Sequence, residues 1–107
     1  MKKGWVGVIA GMLISGVAIA DAEVTTWRER DFAMYPQYCR ARLDSKSGAL
    51  IPIWEKKLGQ SSFLHVHHYC FGMKAVVLAY ANYTDKNRRK GYARSIVSET
   101  EYFLHHA

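Results

Sequence analysis

Apolar side chains recur every three or four residues through most of the stretch from residue 36 to residue 106, which is the spacing of one face of an α-helix. No segment of useful length shows the apolar–polar alternation that is typical of a strand. Glycine and proline fall mostly at the ends of the helical segments, whereas Gly72 interrupts the longest one. The sequence therefore predicts an all-α fold.

Turn-forming residues divide this stretch into a bundle of about four predicted helices. Pro36 and Pro52 suit the first turns of the first two, because proline has no N–H to leave unpaired there. Gly59 is a natural C-terminal cap for the second helix, and Ser61 or Ser62 can cap the third. The predicted helices cover about residues 36–43, 51–58, 62–83 and 88–106.

The third predicted helix is the longest and is apolar on two faces, so we expect it at the centre of the domain. Gly72 interrupts it, and close contact with another helix is the expected reason. One apolar stripe consists of Val66, Cys70, Met73, Val77 and Tyr80, and the second face carries Phe63, Phe71 and Leu78.

The first 22 residues have the pattern of an export signal. Lys2 and Lys3 precede an apolar run, and small residues allow cleavage after Ala20 or after Ala22. The alternative is that the segment stays in the membrane as an anchor, although its apolar run is short for a span. We expect cleavage, a periplasmic location and one small helical domain over residues 23–107.

Two cysteines, Cys39 and Cys70, lie in the part that would remain after cleavage. An exported chain meets an oxidising compartment, in which paired thiols tend to form a disulfide. A domain this small usually needs such a covalent link for stability. We therefore expect a disulfide between Cys39 and Cys70.

Positive charge is concentrated between the last two predicted helices. The chain has a formal net charge of +6, and loss of Lys2 and Lys3 would lower it to about +4. The run that carries most of the excess is either a solvated loop or a weak contact with an anionic membrane surface or an acidic partner. An exported chain without interleaved aromatic and basic residues is not expected to bind nucleic acid. The cations of the run are Lys86, Arg88, Arg89 and Lys90.

Three histidines and a cysteine fall within residues 65–70. On a helix His65 and His68 share one side, whereas His67 and Cys70 share another. A zinc, copper or nickel site is one interpretation, and it would need further ligands. The other interpretation is that the histidines flank the core and Cys70 is bonded to Cys39, which would remove both sulfurs from any metal site. The further ligands considered are Cys39, His105 and His106.

The sequence carries no recognisable catalytic arrangement. Ser61 and Ser62 lie near His67 and His68 in the sequence, but no nucleophile-elbow motif or positioned acid accompanies them. The scattered acids, among them Asp31, Glu55, Glu99 and Glu101, are interpreted as solvated helix faces. We expect a chain that is not an enzyme and needs no cofactor.

Three segments carry a resemblance to a group of exported bacterial tetratricopeptide-repeat proteins: YPQYCRARL at residues 35–43, WEKKLG at 54–59 and FLHVHHYCFG at 63–72. The last stretch, residues 96–107, looks like the next helix of that group. The resemblance implies a helical module that leads into helix-turn-helix repeats and binds other proteins. No complete 34-residue repeat is present, so the chain resembles a truncated array or a separate helical module.

The leading functional hypothesis is therefore a non-enzymatic, exported interaction module. Its partner would be another protein or a second copy of the chain, bound through the apolar C-terminal helix. The alternative hypothesis is a small periplasmic metal-binding protein that uses His65, His67 and His68.

Overall fold

A computed structural model describes residues 16–107, with side chains from Ile19 onward. The basic start and most of the apolar run of the predicted export signal lie outside these residues. Within the described part the chain consists of helices and the turns between them, without strands, so the all-α prediction is confirmed.

The described part contains six α-helices rather than about four. They are α1 (Gly16–Thr25), α2 (Glu29–Met34), α3 (Gln37–Leu43), α4 (Ile51–Leu58), α5 (Gln60–Ala81) and α6 (Lys86–His106), with one 3-10 turn at Gly48–Leu50.

The predicted helix boundaries agree closely with the structure where glycine and proline set them. The helix expected at residues 51–58 has those limits, with a proline in its first turn. Gly59 has a φ of 87°, a conformation that glycine adopts at little cost, and this residue both ends α4 and begins α5. The expected caps Ser61 and Ser62 were wrong, because α5 has already begun at Gln60. Helix α6 starts at Lys86 because the Asp85 side chain accepts a hydrogen bond from the Arg88 N–H.

Two helices were missed from the sequence. Helix α2 is only six residues long, too short for an apolar period, and its first turn is fixed by the Arg28 N–H, which donates to the Asp31 carboxylate at 2.8 Å. Helix α1 lies across the predicted cleavage sites. Ala20 is 2% exposed and packs in the core with Val24, so this segment is a folded helix in the structure.

Helix α5 is central, as expected. It packs antiparallel to α6, while α1, α3 and α4 also contact it. One core cluster joins α1, α5 and α6, and the other lies where α3 meets the first half of α5. The first cluster contains Ala20, Val24, Phe71, Ala75 and Tyr92, and the second contains Ala41, Phe63 and Val66.

The predicted apolar stripe of α5 is correct only in its first half. Val66 and Cys70 are buried, but Val77 and Tyr80 are exposed. In the second half Phe71, Lys74 and Ala75 are buried instead, so the covered face turns toward α1 and α2. Among the described helices, none is long and apolar enough to cross a membrane.

Candidate interaction surface and histidine cluster

A disulfide between Cys39 and Cys70 joins α3 to the middle of α5. Both cysteines are fully buried, and their Cα atoms are 5.9 Å apart. The predicted pairing is confirmed. It fixes the short helices of the N-terminal half against α5 and leaves neither sulfur for a metal ion.

The close approach predicted at Gly72 is confirmed in the antiparallel pair of α5 and α6. A Cβ atom added at this position would lie 3.3 Å from the Thr100 Oγ1 and 3.9 Å from the Glu99 Cβ. A Cβ atom there requires the Thr100 side chain to shift by a few tenths of an ångström, so a bulky side chain at this position would crowd the contact between the two helices. Gly72 therefore sets how closely the histidines on the preceding turns of α5 approach α6.

An imidazole–carboxylate pair joins the two helices one turn before Gly72. The His68 Nδ1 lies within hydrogen-bond distance of the Glu99 carboxylate, and both side chains are largely buried. Glu99 was expected on a solvated face, and this was wrong because His68 meets it from α5. The ring of Tyr102 lies against His68 with centroids 3.9 Å apart and stacks on His106 at 3.9 Å.

His65 joins the same group, as its predicted shared side with His68 requires. Its ring centroid lies 5.7 Å from that of Tyr102 and 5.5 Å from that of His106. Four aromatic rings thus form a continuous layer between the first half of α5 and the C-terminal end of α6. They belong to His65, His68, Tyr102 and His106. Such contacts stabilise helix packing in the manner of aromatic pairs.

His67 lies beside His68, with ring centroids 4.1 Å apart, and meets the Phe71 ring edge-on. Its Nδ1 is buried and has no hydrogen-bond partner among the described residues. Burial, followed by the positive charges of Arg42 and His68, lowers the pKa of His67 to about 4. His67 is therefore held neutral at neutral pH.

The histidines do not converge as metal ligands in the described part of the chain, where no group of three or more histidine, cysteine or acidic side chains could hold a metal ion. His65 and His68 share a side with His106, and their rings pack around Tyr102. Glu99 engages the Nδ1 of His68, and the Tyr102 carbonyl engages the Nδ1 of His106. Metal binding by His65, His67 and His68 stays a prediction. No geometry among the described residues favours it.

The sequence analysis did not identify Lys74 as a functional or core residue. In the structure this lysine of α5 is buried, with 8% of its surface exposed. Its Nζ donates to the Thr26 carbonyl at 2.7 Å, lies 3.3 Å from the Asp31 carboxylate and is 5.8 Å from the centroid of Trp27. Asp31 was expected to be solvated, and this was wrong because it pairs with Lys74. The available signal was a single lysine within the apolar run of α5.

Helix α1 is held by polar as well as apolar contacts. Its Asp21 accepts a hydrogen bond from the buried Ser95 hydroxyl at 2.7 Å, and Glu23 accepts one from the Tyr92 hydroxyl at 2.9 Å. Burial and the adjacent Glu23 carboxylate raise the pKa of Tyr92 to about 12. These two acids fix the register of α1 along α6.

The outward face of α6 carries exposed apolar side chains. The hypothesis that a partner binds the C-terminal helix needs such a surface. Val97 is 56% exposed and Leu104 is 72% exposed. They are seven residues apart, which is two helical turns, so they lie on one face. The exposed Ala93 precedes Val97 by one turn, and the exposed Arg94 and Glu101 lie beside this stripe.

No protein-family model matches this chain, and no curated protein or solved structure does so either. The class that the structure defines is thus a disulfide-linked all-α domain. The similarity to tetratricopeptide-repeat proteins remains a prediction.

Proposed function

We propose that this chain is an exported, non-enzymatic helical module that binds a protein partner or a second copy of itself through the outward face of α6. The observation that carries the proposal is the stripe of Ala93, Val97 and Leu104. Two large apolar side chains at a seven-residue spacing provide the seam by which an amphipathic helix packs against another helix.

The charges beside the stripe support the same reading. Arg94 and Glu101 lie on its edge, two turns apart, and such flanking charges of opposite sign select the orientation of a partner helix. The buried disulfide between Cys39 and Cys70 supports export, because disulfides persist in oxidising compartments. We take the antiparallel pair of α5 and α6 as the counterpart of the helix-turn-helix unit that the tetratricopeptide resemblance implies.

Site-specific crosslinking tests this proposal in the full chain. A photoreactive amino acid placed at Leu104 is expected to give one defined crosslinked product in the envelope, either a dimer of this chain or a complex with one partner. The same group at Ile53, which is exposed on α4, serves as the matched control. The proposal fails if Leu104 gives no product, or if Ile53 gives the same product with equal yield.

Introducing a negative charge provides a second readout. Leu104→Glu places a carboxylate in the seam and should abolish the crosslink formed from position 97, while Ile53→Glu should leave it unchanged. Because Leu104 is mostly exposed, neither substitution removes a core contact. An unchanged crosslink in the Leu104→Glu variant would contradict the assignment of this face.

A further inference from the structure

The turn between α5 and α6 exposes large aromatic side chains. Tyr80 is 78% exposed and Tyr83 is 65% exposed. Val76 and Val77, one turn earlier on α5, are also exposed and lie on the same side as Tyr80. An aromatic and aliphatic surface therefore continues from the last two turns of α5 into the turn at residues 82–85.

Four exposed cations follow this surface in the first two turns of α6. The Arg89 guanidinium lies 5.6 Å from the centroid of Tyr83 and donates to the Tyr83 carbonyl at 3.0 Å. Arg88 donates to the Asn82 side chain at 3.1 Å. The two arginines are thus held against the turn. The complete set, which we call the basic tip, is Tyr80, Tyr83, Lys86, Arg88, Arg89 and Lys90.

Two acids lie near the basic tip. Asp85 caps α6 through the Arg88 N–H, and Glu23 lies 3.8 Å from the Arg88 guanidinium while accepting the Tyr92 hydroxyl. Both carboxylates are therefore engaged with the protein. Lys86 and Lys90 have no hydrogen bond or ion pair among the described residues, so their charges face solvent.

We propose that the basic tip binds the surface of an anionic phospholipid bilayer. Tyrosine is the side chain that favours the boundary between headgroups and acyl chains, with its ring in the apolar layer and its hydroxyl in water. Lysine and arginine next to it are attracted by the negative surface potential of such a membrane. The sequence analysis predicted a weak membrane contact from the charge run, and this proposal names the residues that make it. It does not depend on the proposed binding of a protein partner to the outward face of α6.

The combination of residues favours lipid over an acidic protein. Electrostatic attraction to an acidic protein needs only the cations, and it gives no reason for two mostly exposed tyrosines and two exposed valines next to them. A bilayer surface uses both sets, because peripheral binding adds buried apolar area to charge attraction. Both tyrosines are mostly exposed, so they are accessible to a headgroup layer.

Vesicle co-sedimentation with the processed protein recovered after export tests the proposal, because the apolar run before the cleavage site would bind vesicles by itself. Vesicles containing equal amounts of phosphatidylglycerol and phosphatidylcholine are expected to bind the protein, and pure phosphatidylcholine vesicles are expected not to bind it. Each surface lysine contributes about fivefold in membrane affinity, so Lys86→Ser together with Lys90→Ser should weaken binding about twenty-five-fold. The charge-matched control removes the exposed Lys46 and Lys56, far from the tip in sequence, and should bind like the unaltered chain.

A second variant separates lipid from an acidic partner. Tyr80→Ser together with Tyr83→Ser keeps every charge and should weaken binding to the anionic vesicles, with the protein remaining folded because both rings are exposed. Binding that is unchanged in this variant, and that polyglutamate competes away, would assign the tip to an acidic protein and overturn the proposal. Equal binding to phosphatidylcholine, or equal loss in the Lys46 and Lys56 control, would overturn it as well.

Discussion

Reduction of the buried disulfide should remove a large share of the stability of this domain. Cys39 and Cys70 are 31 residues apart, and closing a loop of that length stabilises the folded chain by about 4 kcal/mol in the chain-entropy model. A domain of this size has a total free energy of unfolding of about 4–13 kcal/mol. The reduced protein is therefore expected to retain between almost none and about two thirds of its stability.

Urea unfolding followed by far-ultraviolet circular dichroism measures this loss. For a small domain with a slope of about 1–2 kcal/mol per molar urea, a loss of 4 kcal/mol lowers the midpoint by about 2–4 M. Reductant changes the covalent link without removing heavy atoms, so it leaves the core packing of α3 and α5 largely unaltered. A double variant with alanine at both cysteines should show no further effect of reductant, which controls for solvent effects.

The reasoning would be refuted by a midpoint that falls by less than about 0.5 M at an unchanged slope, because the loop-closure contribution would then be far below the value set by the loop length. A change in slope would instead mean that the reduced unfolded chain is less compact or that intermediates appear. In that case the free-energy comparison is made by hydrogen exchange on the amides of α5.

Three further predictions concern single side chains. Lys74→Ala should destabilise the protein by about 3–5 kcal/mol in chemical denaturation, because it leaves the Asp31 carboxylate buried without its partner. The pKa of His67 is lowered to about 4, so its neutral form contributes stability above the unfolded pKa of 6.5, and this contribution of roughly 1–2 kcal/mol is lost as pH falls toward 4. His67→Gln should therefore flatten the pH dependence of the melting temperature over that range. Gly72→Leu should cost about 1–3 kcal/mol, because Thr100 lies 3.3 Å from the added Cβ.

Each of these predictions has a matched control. Lys56→Ala removes a lysine that is exposed on α4 and should change stability by less than about 0.5 kcal/mol. His105→Gln removes an exposed histidine and should leave the pH profile unchanged. Gly48→Leu adds the same bulk where no atom lies within 4 Å of the new Cβ. If a control matches its test variant, the specific contact is not the cause of the effect.

The sequence predicted the elements of this fold where local chemistry determines them. Gly59 and the prolines near α3 and α4 set helix boundaries that need no knowledge of the rest of the chain. The buried face of α5 was harder to predict. Apolar side chains lie on almost every side of this helix, so their spacing does not show which face other helices cover. Lys74 is buried on the second half of α5 because its ammonium group meets the Thr26 carbonyl and the Asp31 carboxylate, and these partners cannot be recognised from the pattern of α5 itself.

The candidate surfaces also divide into features that local sequence predicts and features that depend on distant residues. The spacing of His65 and His68 was sufficient to place them on one side of α5, and the structure confirms it. Their partners were not predictable, since Glu99 is 31 residues from His68 and meets it only when α5 and α6 pack antiparallel. The exposure of Val97 and Leu104 was likewise hidden in a pattern that fits a buried helix equally well.

If the chain is cut on export, as the sequence predicts, helix α1 makes the timing of folding important. A signal peptidase acts on an extended segment, whereas in the structure the bond after Ala20 lies inside a helix whose side chains pack in the core. Folding before the cut would therefore protect the very bond that has to be broken. Helix α1 would then compete with the peptidase for the same residues, and the faster of the two reactions would determine whether the molecule keeps its first helix.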